Sequence, residues 1–227
     1  MIDIHTHILP EVDDGSFSLD NSLAMISECV KQGTTDIILT PHYRKEYKLG
    51  AKELKERFST FKDCVEKSGL AVNLYLGQEI FIEKDYKEIF SSNAFLPMND
   101  GKHILIEFGY DCKWDITEVV YELTRLGYTP IIAHIERYIN YDLSVAYEVK
   151  DLGGLIQVNA ESLVGVQKRV FGKKVKELLK NGLVDFIASD VHFNRKNLLA
   201  KAQKWVSKKY GKECAQKIFI DNAKEII

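Results

Sequence analysis

Short apolar runs alternate with longer segments in which apolar residues recur every three or four positions, and this alternation continues along the whole chain. The runs at 2–4, 36–40, 72–76, 104–106, 130–133, 155–158 and 184–188 read as strands. Between them, Leu23, Ile26 and Val30 share one helical face that Gly33 closes as a C-cap. Further helices are predicted at about 51–68, 83–90, 115–126, 144–152, 170–180, 197–210 and 213–219, several followed by glycine (Gly127, Gly153-Gly154, Asn181-Gly182). Strands that alternate regularly with helices argue for a parallel sheet. Seven such units without a linker or a break in composition predict one closed α/β barrel over residues 1–227, a TIM-like (β/α)7 arrangement. An open doubly wound sheet is the alternative.

The composition is that of a water-soluble globular chain: 45% of its 227 residues are hydrophobic and 28% charged. The net charge is −2 with both signs interspersed, which gives no electrostatic case for a nucleic-acid partner. No apolar run approaches the roughly 18 residues of a membrane span, and the start Met1-Ile2-Asp3-Ile4-His5 has no signal-peptide character. Cys29, Cys64, Cys112 and Cys214 are far apart and read as buried thiols of a reducing, cytoplasmic compartment. They also exclude one chemistry. A thiol phosphatase needs a Cys-x5-Arg loop, and six residues after these cysteines come Thr35, Leu70, Glu118 and Ile220.

Candidate chemistry collects where the strands end. The first strand runs into His5-Thr6-His7 and then Asp13-Asp14-Gly15, the second into His42, the third into Glu79, the fourth into Glu107, the fifth into His134 and the last into Asp190-Val191-His192. In a parallel barrel these ends share one rim, where barrel enzymes build their sites. Mixed imidazole and carboxylate donors suit manganese, iron or zinc, and carboxylates can bridge two ions. His5 and His7, like Asp190 and His192, are spaced to point the same way from a strand. A single histidine there would ordinarily be a hydrogen-bonded polar group; five of the six together with Glu79, Glu107 and Asp190 are hard to explain by packing. His103 starts its strand on the opposite rim and is taken as structural. Asp-Asp-Gly is also an ordinary turn, so Asp13 and Asp14 both remain candidates. Asp3 is expected on the same side as His5, as a ligand or a group supporting one. Arg137 and Arg44 lie just beyond His134 and His42, suited to a phosphoryl group; Asn159 is expected to bond to loops.

These segments resemble the polymerase-and-histidinol-phosphatase (PHP) superfamily, and the whole chain is similar to the metal-dependent protein-tyrosine phosphatases of bacterial capsule and exopolysaccharide clusters. The motifs are Asp3-Ile4-His5-Thr6-His7, Val12-Asp13-Asp14-Gly15, Thr40-Pro41-His42, Ala133-His134-Ile135-Glu136-Arg137 and Ala188-Ser189-Asp190-Val191-His192. The resemblance implies a distorted seven-stranded barrel and three metal ions. His5, His7, Glu79 and Asp190 would hold one, Glu79, Glu107 and His134 a second, and Asp14, His42 and His192 the third, with Arg137 on phosphate. It implies hydrolysis of phosphotyrosine, with the tail of a bacterial tyrosine autokinase as partner. Two other readings stand beside it: a phosphatase of a small molecule such as histidinol phosphate, and a metal-binding regulator without turnover. The chain departs from the family pattern at Asn222-Ala223, where Asn-Pro is usual, and in the Tyr43-Arg44-Lys45 loop.

Overall fold

Apolar residues at adjacent strand positions go to opposite sides of a sheet, and in the computed structural model they do so around a ring. The structure describes residues 1–47, 49–84, 86–92, 94–111, 114–138 and 142–227. Its strands are β1 (Ile2–Thr6), β2 (Asp36–Leu39), β3 (His42–Tyr43), β4 (Asn73–Leu76), β5 (Glu79–Phe81), β6 (His103–Glu107), β7 (Thr129–Ile132), β8 (Leu155–Asn159) and β9 (Phe186–Ala188). They pair in the orders β4-β2-β1 and β3-β5-β6-β7-β8-β9, every pair parallel.

Nine segments make seven strand paths. β2 and β3 are one path broken at Thr40-Pro41, where proline supplies no N–H to the ladder. β4 and β5 are one path broken at Gly77-Gln78, and pairing crosses both breaks through Gly77 N to Leu39 O at 2.9 Å and Glu79 N to Pro41 O at 3.2 Å. Between β1 and the end of β9, Asp190 N donates to His5 O at 2.9 Å and His7 N to Val191 O at 3.1 Å. The ring is thereby closed, as expected, and the open-sheet alternative falls.

Ile38, Leu105, Ile131, Ala133, Phe186 and Ala188 fill the interior with Ile2 and Ile4. Their neighbours Ile37 and Leu39 pack outward with α1 (Leu19–Lys31) and α2 (Ala51–Lys67), and Ile104, Ile106 and Ile132 pack outward with helices further along the chain. Each fully buried side chain of this size contributes about 1.5–3 kcal/mol. Besides α1 and α2 the helices are α3 (Tyr86–Ser92), α4 (Ile116–Arg125), α5 (Leu143–Asp151), α6 (Ala160–Val164), α7 (Gly172–Lys180), α8 (Leu199–Tyr210), α9 (Lys212–Gln216) and α10 (Asn222–Lys224), and all but α10 contribute to that outer packing. Local caps set where several begin: Ser18, Asp115 and Asp142 accept backbone amides at the starts of α1, α4 and α5. At the end opposite the strand C-termini, Ala223 and Ile226 join the interior cluster, so the alanine that departs from the family pattern is a buried plug.

Several boundaries differ from expectation. The helix expected at 83–90 is Tyr86–Ser92, with Asp85 outside the described residues. The segment from 170 is preceded by a 3-10 turn at Val166–Arg169, and α6 was not foreseen. The last helix is interrupted by a π turn at Lys217–Asp221. Among the described residues only Cys29 is a fully buried thiol; Cys64 and Cys214 are half-buried on helices, and Cys112 lies outside the described residues. Among the described residues no helix is long and apolar enough to cross a membrane.

Candidate metal centre

The C-terminal strand ends bring His5, His7, His42, Glu79, Glu107, His134, Asp190 and His192 to one rim, together with Asp14 from the loop after β1. All but Glu107 and Asp14 are buried. His103, at the start of β6, lies at the other end of its strand, as expected.

Glu79 is central. Its Oε2 lies 2.9 Å from His42 Nδ1, 3.2 Å from His7 Nε2 and 3.3 Å from His5 Nε2, while Oε1 is 2.9 Å from His134 Nε2. Asp190 Oδ1 is 3.6 Å from both His5 Nε2 and His7 Nε2, and Asp14 Oδ1 is 3.4 Å from His42 Nε2 and 3.5 Å from His192 Nε2. Ligands at about 2.0–2.2 Å from one ion stand roughly 3.0–3.5 Å apart, so this spacing is that of donors sharing an ion. Among the described residues four overlapping groups have donor atoms all within 4.8 Å of one another: His7, Asp14, His42 and His192; His5, His7 and Asp190; His5, Glu79 and His134; His42, Glu79 and Glu107. The overlap means a site for more than one metal. It also places His42 between two groups, with Nε2 towards Asp14 and Nδ1 towards Glu79.

The donor set fits cations rather than a hydrogen-bond network. Among the described residues Glu79 Oε2 makes no hydrogen bond, despite three imidazole nitrogens at 2.9–3.3 Å. A buried acceptor without a donor costs about 1–3 kcal/mol, and a cation removes that cost. Burial and the Glu79 carboxylate push Glu107 up to about 8, the mark of two carboxylates sharing a site. Burial and the Arg137 guanidinium bring His134 down to about 4, leaving it a neutral ligand-type imidazole.

Three histidines are aimed by what holds their other nitrogen. His5 Nδ1 is 3.1 Å from Gln157 Oε1, His7 Nδ1 is 2.7 Å from Asp13 Oδ2, and His192 Nδ1 is 3.1 Å from the Asp190 carbonyl oxygen. Since each partner only accepts, Nδ1 carries the proton and Nε2 turns its lone pair to the cluster. Asp13 therefore orients His7 and also accepts from His42 N at 3.0 Å, while Asp14 stands in the cluster. Gly15 allows this turn, because a Cβ there would overlap the His7 carbonyl oxygen.

A second row lies along β8. Gln157 Oε1 also accepts from His134 N at 2.8 Å, its Nε2 donates to Asn159 Oδ1 at 2.8 Å, and Asn159 Nδ2 donates to Asp190 Oδ2 at 2.7 Å. Asn159, expected to bond to loops, does so: two residues on from Gln157 it shares the inward face and meets Asp190 in the loop after β9. Its backbone N–H donates to buried Glu136 Oε1 at 3.0 Å. Asp3 stands behind the residue that precedes Asp190. The β1–β2 register shifts after Asp3, breaking strict alternation, and its Oδ1 accepts from Ser189 N at 3.0 Å, tying β1 to β9. His134 (φ 33°) and Asp190 (φ 51°) are both left-handed, strain of the kind that gathers at functional sites.

Arginines border the cluster. Arg137 Nη2 is 2.9 Å and Arg195 Nη1 2.8 Å from Asp190 Oδ2, and Arg44 Nη2 is 2.6 Å from Glu107 Oε2. Arg195 was missed in sequence, although its place three residues after His192 mirrors that of Arg137 after His134.

Known proteins resemble this chain in sequence and in fold. The family model for capsular polysaccharide synthesis, CpsB/CapC, matches residues 1–227. Tyrosine-protein phosphatase CpsB of Streptococcus agalactiae is 34% identical over 238 residues, covering all of this chain and 98% of that protein. Tyrosine-protein phosphatase YwqE of Bacillus subtilis is 36% identical over 200 residues, covering 85% of this chain and 77% of that one. A crystal structure from work on YwqE of Bacillus subtilis and CpsB of Streptococcus pneumoniae, described as metal-dependent tyrosine phosphatases, has a TM-score of 0.88 at 32% identity, covering 95% and 90% of the two chains. The histidinol phosphate phosphatase of Lactococcus lactis shares the fold, with a TM-score of 0.61 at 13% identity. A match from the first residue to the last, relatives a third identical and the same barrel together establish that this chain belongs to the CpsB/CapC family of the PHP superfamily.

Proposed function

We propose that the chain is a metal-dependent protein-tyrosine phosphatase acting as one catalytic unit over residues 1–227. The observation that carries this reading is the convergence of His5, His7, His42 and His134 on the two oxygens of Glu79 at the rim of the barrel. His5, His7, Glu79 and Asp190 would hold one ion, Glu79, Glu107 and His134 a second, and Asp14, His42 and His192 a third. Manganese, iron and zinc all suit these donors. Such ions lower the pKa of water towards neutrality and offset charge on phosphoryl oxygens.

The chain's own residues do the rest. Arg137 and Arg44 bind the phosphoryl group: a guanidinium has five N–H donors, so Arg137 can hold Asp190 through Nη2 and still donate to a phosphoryl oxygen. Asp13, Gln157 and Asn159 fix the ligands, so that little reorganisation accompanies the rise in charge. The leaving phenolate, of pKa about 10, needs less protonation than an alkoxide. Phe17 and Phe193, both exposed, stand edge to face with centroids 5.4 Å apart. They follow Asp14 and His192 in sequence and offer a lip for the tyrosyl ring.

The substrate is a phosphotyrosyl protein, the tail of a bacterial tyrosine kinase of the capsule type, met in the cytoplasm. The test compares kcat/KM for a phosphotyrosyl peptide with that for histidinol phosphate, using metal-loaded protein and His134→Ala. Preference for the peptide, lost in the variant, is expected. Preference for histidinol phosphate sinks the tyrosine reading, and stoichiometric peptide binding without turnover would make the chain a regulator.

A further inference from the structure

Charge is not evenly spread along this chain. No acidic residue occurs between Glu161 and Glu177, or between Asp190 and Glu213, although both stretches are rich in lysine and arginine. The fold brings the two stretches face to face: α6 packs against α8, and the Val166–Arg169 turn against α6. Between them is an open groove of about 800 Å³, with Lys168, Arg169, Arg195, Lys196 and Lys201 on its walls. Among the described residues Glu161 is its one carboxylate.

Two of these cations are committed. Lys201 Nζ donates to Val164 O at 3.1 Å, bracing the wall, and Arg195 Nη1 holds Asp190 at 2.8 Å. Arg195 thus lines the groove and touches the metal-site carboxylate, so the groove begins where the catalytic cluster ends. Lys168, Arg169 and Lys196 are exposed and make no ion pair among the described residues. Apolar Val166, 80% exposed, stands beside them. Unpaired cations around a partly apolar trough fit an extended chain carrying negative side chains.

We propose that this groove binds the peptide flanking the phosphotyrosine and selects flanks that carry carboxylates or further phosphates. The proposal rests on the phosphatase reading and adds to it a sequence preference read by Lys168, Arg169 and Lys196. Charge complementarity with the groove favours an acidic peptide, and the adjoining Arg195 fixes where it starts.

The test uses full-length, metal-loaded protein and the triple variant Lys168→Glu/Arg169→Glu/Lys196→Glu, none of whose positions touches the cluster. Three substrates are compared: a phosphotyrosyl peptide with acidic flanks, the same peptide with serine and glycine flanks, and p-nitrophenyl phosphate. Wild type is expected to favour the acidic peptide by on the order of tenfold in kcat/KM, as three exposed ion pairs allow. That preference should shrink with added salt. The variant should lose or invert it while hydrolysing p-nitrophenyl phosphate within about twofold of wild type. Equal turnover of both peptides by wild type, or an equal fall on all three substrates in a folded variant, would overturn the proposal. If neither protein hydrolyses p-nitrophenyl phosphate, the phosphatase reading fails on its own. Fluorescence anisotropy of the two labelled peptides then still decides the groove: tighter binding of the acidic one by wild type alone supports it, and equal binding refutes it. Saturable binding of an oligonucleotide at this face without any peptide preference would also refute it.

Discussion

Replacing Gln157 by leucine removes a buried amide that touches no phosphate and yet governs the cluster. In the folded chain its oxygen takes the His5 Nδ1 proton and the His134 amide, and its Nε2 supports Asn159, which in turn holds Asp190. Leucine is close in size and leaves no large cavity, so the effect is electrostatic. His5 Nδ1, His134 N and Asn159 Oδ1 each lose a buried partner at about 1–3 kcal/mol apiece, for a loss of stability of about 3 kcal/mol or more. With Nδ1 released, the His5 tautomer is no longer fixed, and loss of such a support lowers metal affinity or activity by about 10–100-fold. Urea denaturation of the metal-free protein measures the first effect. Metal titration followed by phosphotyrosyl-peptide hydrolysis measures the second. A folded Gln157→Leu protein with wild-type stability, metal affinity and turnover would refute the argument that β8 orients the ligands.

Gly15→Ala should destabilise the chain by about 1–3 kcal/mol or more and depress metal binding, since the new Cβ collides with the His7 carbonyl oxygen and Cβ; a wild-type denaturation midpoint would contradict this. Phe17→Ala/Phe193→Ala, at exposed positions, should leave the denaturation midpoint nearly unchanged and raise KM for phosphotyrosyl peptides. An edge-to-face ring contact is worth about 0.5–1.5 kcal/mol, or roughly 2–10-fold. An equal rise for an alkyl phosphate would count against a lip for the ring. His103, far from the cluster, has its pKa lowered by burial and Lys102, partly offset by Glu225. A histidine depressed below its unfolded value of about 6.5 takes up its proton more readily when unfolded. Its share of stability is therefore full above pH of about 6.5 and is lost as pH falls through the lower, folded value. His103→Gln should flatten that part of the stability–pH curve and leave activity intact, as parallel denaturation and kinetic series would show.

How far the sequence reaches is clear from particular residues. Runs such as 104–106 and 130–133 mark themselves as strands through local composition, and strand ends place histidines and carboxylates without knowledge of register. His42 and Glu79 were read as lying beyond their strands, but each opens a new segment after a break, at Pro41 and at Gly77-Gln78. Gln157 and Arg195 were not legible. The contact between Gln157 and His5 spans 152 positions, and no local pattern marks which glutamine faces inward. Asp13 and Asp14 read alike as turn residues; only the turn at Gly15 puts one behind His7 and the other in the cluster.

The most direct test of the central claim is hydrolysis of a phosphotyrosyl peptide by one sample measured as purified, after chelation, and after return of manganese, with metal content determined at each stage. The account predicts that activity disappears with the metal, returns in proportion to the ions regained and requires more than one ion per chain. Undiminished turnover by metal-free protein would contradict it.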